Sequence, residues 1–190
     1  AEENAVKAPL GLDGVELAAS DDELTAEKYE LGKQLFFDTR LSGTGKTSCS
    51  SCHLPEHAFT DQRPVSPKDN GKLNSRNSPT MYNVGYLTEL YWDGRAKGLD
   101  NNVMAAWTGQ VGGKPDEVAK ALGEIEGYKT AFQEAYGAAP SPSNINQAMA
   151  SFLRGLRSGD SAYDRFEAGQ TDALSEAAQK GLELFKVKAG

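Results

Sequence analysis

The chain has 190 residues, enough for one compact domain of ordinary size and the edge of a second. Its 38% hydrophobic and 25% charged residues are usual for a globular protein, and no apolar run nears the roughly 20 residues that span a bilayer, which excludes a transmembrane segment. With 27 acidic against 20 basic residues and a net charge of -7, nucleic acid is excluded as a partner, and a basic protein surface steered by charge fits better.

The opening AEENAVKAPLG lacks an initiator Met and starts with the small residue that signal-peptide cleavage leaves, so an exported protein with its signal peptide removed is expected. A helix is predicted over 25–37, started by Thr25 and burying Leu31, Leu35 and Phe36; the loop DTRLSGTGKTS then leads to the cysteines. Between His53 and about Pro115 the chain is rich in Pro, Gly, Asn and Asp with little periodicity. So long a loop inside a domain signals function, with a cofactor supplying the missing core. Residues 115–136 follow as helix: Pro115 suits a first helical position, Asp116 and Glu117 favour the positive end of the dipole, and Val118, Ala121, Leu122 and Ile125 share a face. Gly127 interrupts this helix, after which Tyr128, Phe132 and Tyr136 line up and Gly137 ends the segment. The clearest helix is 144–157, capped by Ser143, with Ile145, Ala148, Met149, Phe152, Leu153 and Leu156 facing the core. A polar, turn-rich break over 158–173 precedes a last helix beginning near Ser175, which sets Ala178, Leu182 and Phe185 on one side.

The two cysteines of the chain lie in CSSCH, where a disulfide would close a very short, strained loop. The C-x-x-C-H spacing of Cys49, Cys52 and His53 is the attachment pattern of a c-type haem: two thiols reach the two vinyl groups of one porphyrin, and the next imidazole meets the iron. A thioredoxin-like redox pair would need strand and helix alternation around it. A zinc site of Cys49, Cys52, His53 and His57 would need adjacent residues to share a tetrahedron and lacks the usual spacer. His57 lies so near His53 in sequence that reaching the opposite haem face is hard, so a sixth-ligand role is the lesser reading beside that of a polar loop residue or a propionate partner. Of the soft ligands Met81, Met104 and Met149, the last fits the core stripe, and Met104 is the better candidate for a sixth iron ligand, with core packing as the alternative.

From LGKQLFFDTRLSGTGKTSCSSCHLPEHAFTD, through RNSPTMYN, to YWDGRAKGLDNN, the sequence resembles the bacterial dihaem cytochrome c peroxidases and the related methylamine-utilisation dihaem enzymes. The resemblance runs from about residue 28 to the end. It implies a mainly α fold, a cytochrome c-type haem domain with long loops matching the family's first, peroxide-reacting domain, followed by the first helix of a second cytochrome c-like domain. SEAAQKGLELFKVKAG is similar to the helix that leads into the family's second C-x-x-C-H, so a second haem is expected beyond Gly190; a natural single-haem relative is the alternative. The boundaries expected are an N-terminal arm over 1–20, the haem domain over 21–165 and the truncated start of the second domain over 166–190.

Residue by residue, the resemblance implies His53 as proximal ligand and Trp92 as the tryptophan between the two haems that helps pass electrons, an ordinary buried Trp being the alternative. It implies Asn77 as a contributor to an interdomain calcium site. Asp93 and Arg95 fix the WDGR turn, with Arg95 also a propionate partner. Two positions depart from the family. Where it has a Gln this chain has Asn102, and where it has a catalytic Glu this chain has Gln110, an amide that donates a hydrogen bond but cannot shuttle a proton. The family's mobile loop histidine is absent too. A different gap placement would bring Asp100, Asp116 or Glu117 forward as the acid. The function implied is periplasmic reduction of hydrogen peroxide to water, with electrons from a small cytochrome c or cupredoxin and a homodimer as the assembly. The catalytic candidates are Trp92, Asn102 and Gln110. The alternative is an electron-transfer cytochrome without peroxidase activity, its iron closed by Met104 or another side chain.

Overall fold

The computed structural model describes residues 7–188, so the expected cleavage end at Ala1 and the terminus at Gly190 lie outside the described residues. These residues carry seven α-helices, five short 3-10 turns and one two-stranded hairpin. The helices are α1 (Ala26–Phe37), α2 (Leu99–Gly109), α3 (Pro115–Leu122), α4 (Glu126–Tyr136), α5 (Pro142–Gly155), α6 (Ala162–Glu167) and α7 (Glu176–Lys188). The hairpin pairs β1 (Glu89–Leu90) with β2 (Ala96–Lys97), in the antiparallel register Glu89 to Lys97 and Leu90 to Ala96. The mainly α architecture expected from the sequence is the one observed. Two compact units divide the chain, one spanning Glu16–Arg157 and the other joining Lys7–Val15 to the segment from Ser158 onward.

In the larger unit the core forms where α1 meets α5. Thr25 caps α1 by accepting the Lys28 N–H at 3.3 Å. The helix then buries Leu31, Leu35 and Phe36 at helical spacing against Ile145, Ala148, Met149, Phe152 and Leu153 of α5. Gly32 makes the close crossing possible: a Cβ there would lie 1.8 Å from the Ala148 carbonyl oxygen and 2.9 Å from Cβ of Phe152. Phe36 sits at the centre of an aromatic cluster, with ring centroids 5.1 Å from Phe152 and 6.0 Å from Phe59, tilted or edge-on as their quadrupoles prefer. The fourth helix closes over α1, where the Tyr128 hydroxyl donates to the Asp38 carboxylate at 2.6 Å.

Three predicted boundaries shift, each for a local reason. Ser141 rather than Ser143 caps α5, in a reciprocal pair with Asn144 (3.3 and 2.7 Å), because Pro142 fits the first helical position and draws the start two residues earlier. The break between α3 and α4 falls at Gly123–Ile125, where the Gly123 N–H closes α3, and Gly127 is the second residue of α4 rather than the interruption. The stretch from His53 to Pro115, expected as loop, contains the eleven residues of α2. Leu99, Val103 and Trp107 repeat every four residues and are buried, while Arg154 of α5 pairs with Asp100 and the Asn146 amide donates to the Asp100 carbonyl at 3.0 Å.

The smaller unit is described by itself. Its α6 is capped by Ser161, and the Leu10 carbonyl accepts the Asp160 N–H at 2.9 Å. Ser175 accepts the Ala178 N–H at 3.2 Å at the start of α7, as the sequence suggested. That helix exposes Leu184, Phe185 and Val187.

Candidate functional site

The CSSCH segment is a single 3-10 turn, Cys49–Ser51, in which the Cys52 and His53 N–H groups both bond to the Cys49 carbonyl at 3.2 Å and the Ser48 N–H bonds to the Ser51 hydroxyl at 3.0 Å. One turn therefore presents both thiols and the imidazole to the same space. The chain next doubles back through Ala58 (φ +54°) and Phe59 (φ +59°), two consecutive left-handed residues without glycine, a conformation that folds hold mainly at functional sites. The reversal brings the Phe59 carbonyl to 2.8 Å from His53 Nδ1. A carbonyl can only accept, so Nδ1 carries the proton and Nε2 keeps its lone pair for a metal. Burial pushes the His53 pKa down, against the opposing pull of the Phe59 and Pro79 carbonyls and the Asp61 charge, which keeps the ring in the neutral form that metal binding requires.

The thiols show no sign of redox activation. Burial, with the neighbouring Cys52 adding to it, pushes the Cys49 thiol up to about 12, and burial raises Cys52 as well. Catalytic dithiols have depressed values instead. Among the described residues no group of three or more His, Cys, Asp or Glu side chains converges as a metal cluster.

Cys49, Cys52 and His53 line a cavity of about 390 Å³, within the range of small-molecule and cofactor sites. Its apolar walls come from Phe36 of α1, Val103 and Trp107 of α2, and Met149 and Leu153 of α5. Asn77, Trp92, Arg95, Asn102 and Gln110 line the same cavity, so the structure brings together eight of the nine site residues named from the sequence. The ninth, Met104, is not on the wall; it packs half-buried against the core, whereas Met81 and Met149 do line the cavity. Asn102 and Gln110 are two turns apart on α2 and its C-terminal cap, with Ala106 between them on the same face. Trp92 is 64% exposed, and its indole N–H donates to the Asn77 carbonyl at 2.9 Å.

Asp100, Asp116 and Glu117 are absent from the wall, Asp100 being held by Arg154. The acids on it are Asp69 and Glu89. Asp69 accepts from the Thr44 hydroxyl and N–H (2.6 and 3.0 Å) and from the Thr47 hydroxyl (2.6 Å). Burial opposes the charge of Asp69, yet these bonds outweigh it and hold the carboxyl below its usual range. Glu89 pairs with Lys97 across the hairpin. Sequence reasoning missed Asp69 and also Tyr91, whose ring carries the Arg95 guanidinium 3.7 Å above its centre. The cations on the wall are Lys68, Arg76 and Arg95, an arrangement that suits carboxylates.

Two thiols and a neutral imidazole on one turn, facing an apolar cavity with cations on its wall, are a donor set that fits a porphyrin with two propionates. The fold and this wall define a cytochrome c-type domain. The family model described as di-haem cytochrome c peroxidase matches residues 26–172, and the chain belongs to that family. It is 37% identical over 174 residues to the methylamine utilization protein MauG of Methylophilus methylotrophus, covering 90% of this chain and 52% of that protein. It is 39% identical over 176 residues to the cytochrome-c peroxidase IdrP1 of Denitromonas iodatirespirans, covering 90% of this chain and 47% of that one. A solved MauG-like protein associated with microbial copper homeostasis superposes with a TM-score of 0.79 at 34% identity, over 89% of this chain and 51% of its own. The chain thus spans about half the length of the relatives it matches.

Proposed function

We propose that the chain is the first haem domain of a periplasmic dihaem peroxidase, which reduces hydrogen peroxide to two waters with two protons and with two electrons from a small cytochrome c or cupredoxin. The observation that carries this reading is the convergence of Cys49, Cys52 and His53 with Trp92, Asn102 and Gln110 on one cavity. When bound, haem c supplies an iron that exchanges single electrons and takes a small oxygen ligand. The chain's own residues do the rest. Cys49 and Cys52 form the thioether links, His53 Nε2 ligates the metal, and Arg95 meets a propionate. Trp92 lies on the path of electrons from a second haem carried beyond Gly190. The Asn102 and Gln110 amides orient peroxide by hydrogen bonds and move no proton. Asn77 supplies one oxygen of a calcium site that residues outside this chain complete, and the assembled protein pairs as a homodimer.

A second reading, an electron-transfer cytochrome without peroxidase activity, is favoured by the state of the acids on the wall: Asp69 is engaged by Thr44 and Thr47, and Glu89 by Lys97. In that reading a methionine closes the iron, and Met81 or Met149 stands on the wall where Met104 does not. The ferric spin state of the purified holoprotein, with stopped-flow mixing against peroxide, separates the two. A high-spin iron that reacts rapidly supports the peroxidase; a low-spin iron that ignores peroxide supports the carrier.

A further inference from the structure

Tyr91 begins the turn that joins β1 to β2, and its φ of +64° is a conformation that bulky L residues rarely adopt. The turn holds it there, with the Gly94 N–H bonding back to the Tyr91 carbonyl at 3.2 Å. Arg95 braces the ring from one face at 3.7 Å, and Asp93 braces Arg95 in turn, at 2.8 Å, while pairing with Arg76 at 3.1 Å. The half-buried tyrosine lines the cavity, and Gln110 on the same wall is a polar neighbour of its phenol. When the Gln110 amide donates to the phenol oxygen, the phenol proton stays available to a third group. The two carboxylates on the wall are already engaged, Asp69 by Thr44 and Thr47 and Glu89 by Lys97.

We propose that the Tyr91 hydroxyl is a further hydrogen-bond donor, beside the Asn102 and Gln110 amides, that the cavity offers to a small anionic or peroxidic ligand of the haem iron, with Arg95 as its positioning residue. The inference rests on reading this cavity as the haem site. It assigns to a turn residue the contact that a distal acid cannot make here, because position 110 is an amide.

The test uses the ferric holoprotein and fluoride, which binds iron without any turnover, alongside peroxide. Tyr91→Phe keeps the ring and the Arg95 stack and removes the donor. Its fluoride dissociation constant is expected to rise about tenfold, the usual effect of losing one hydrogen bond to a charged acceptor. Its peroxide rate constant is expected to fall about a hundredfold, as when one preorganised donor is deleted. Gln110→Ala should move both in the same direction by less. In the wild-type fluoride complex the iron–fluoride stretch should shift in D2O, a readout that needs no variant. Unchanged fluoride affinity in Tyr91→Phe, or no isotope shift in the wild type, overturns the proposal. A wild-type iron that takes up neither ligand overturns it as well. A protein inert to peroxide whose fluoride affinity still drops in Tyr91→Phe removes the peroxidase reading and leaves the donor in place.

Discussion

The indole N–H of Trp107 donates to the carbonyl of Leu41 across 3.0 Å in the buried interior, tying α2 to the segment that leads into Cys49. Gly113 packs against this bond, its own N–H returning to the Trp107 carbonyl at 2.9 Å. A Cβ on Gly113 would stand 2.2 Å from Trp107 Nε1 and 2.7 Å from the Leu41 oxygen. Gly113→Ala is therefore expected to destabilise the protein by about 1–3 kcal/mol, the range for forced overpacking. Urea melts of the holoprotein read this directly, and an unchanged midpoint would mean that Gly113 does not pack against the Trp107–Leu41 bond.

Phe36 is 2% exposed at the meeting point of α1, α5 and the loop after His53. Phe36→Ala should cost about 3–5 kcal/mol, as large-to-small changes of buried aromatics do. Because Phe36 also lines the cavity, haem retention at moderate temperature should fall with it. Loss of stability with full haem retention would separate the core from the cavity.

Cys49 and Cys52 are expected to carry the porphyrin covalently. Intact mass of the purified protein should include one haem held through these two thiols, so the double variant Cys49→Ala, Cys52→Ala should carry one covalent haem fewer than the wild type and release that haem on acid-acetone extraction. His53→Ala in the presence of both cysteines should keep the mass increment and change the ferric spectrum.

Asp38 gives a pH dependence whose sign follows from its neighbours. Burial raises its pKa, but bonds from the Arg40 side chain and N–H and from the Tyr128 hydroxyl outweigh this, so the folded value lies below the ordinary one. A carboxyl depressed in the folded state contributes stability that is fully present above the unfolded value of about 3.9 and is lost as pH falls through the folded one. Asp38→Asn should therefore lower stability at neutral pH and flatten the loss on the acid side. A wild-type and variant difference that stays constant from pH 7 down to acid unfolding would contradict the assignment.

Much of this architecture can be read in the residues themselves, and the exceptions have one cause. Helix α1 buries a single stripe, announced by Leu31, Leu35 and Phe36, and α5, though buried on most sides, is announced by the helical spacing of Ile145, Met149 and Phe152. In α2 the side chains serve two surroundings at once, with Leu99 turned into the core while Asn102, Ala106 and Gln110 face the cavity, and the mixture of Asn, Ala and Gln hides its period. The CSSCH turn is legible because its chemistry is local. Asp69 and Tyr91 are not, because a lone acid or phenol in a loop acquires its meaning from partners distant in sequence: Thr44 lies 25 residues before Asp69, and Gln110 lies well beyond Tyr91.

The two tryptophans of the chain share one cavity but not one medium: Trp107 is 1% exposed and Trp92 64%. Their emission should separate into a blue component that acrylamide cannot reach and a red one that it quenches. A porphyrin held in that cavity would darken both by energy transfer. Fluorescence of the intact protein thus reports cofactor loading through its intensity and solvent access at the hairpin through its colour.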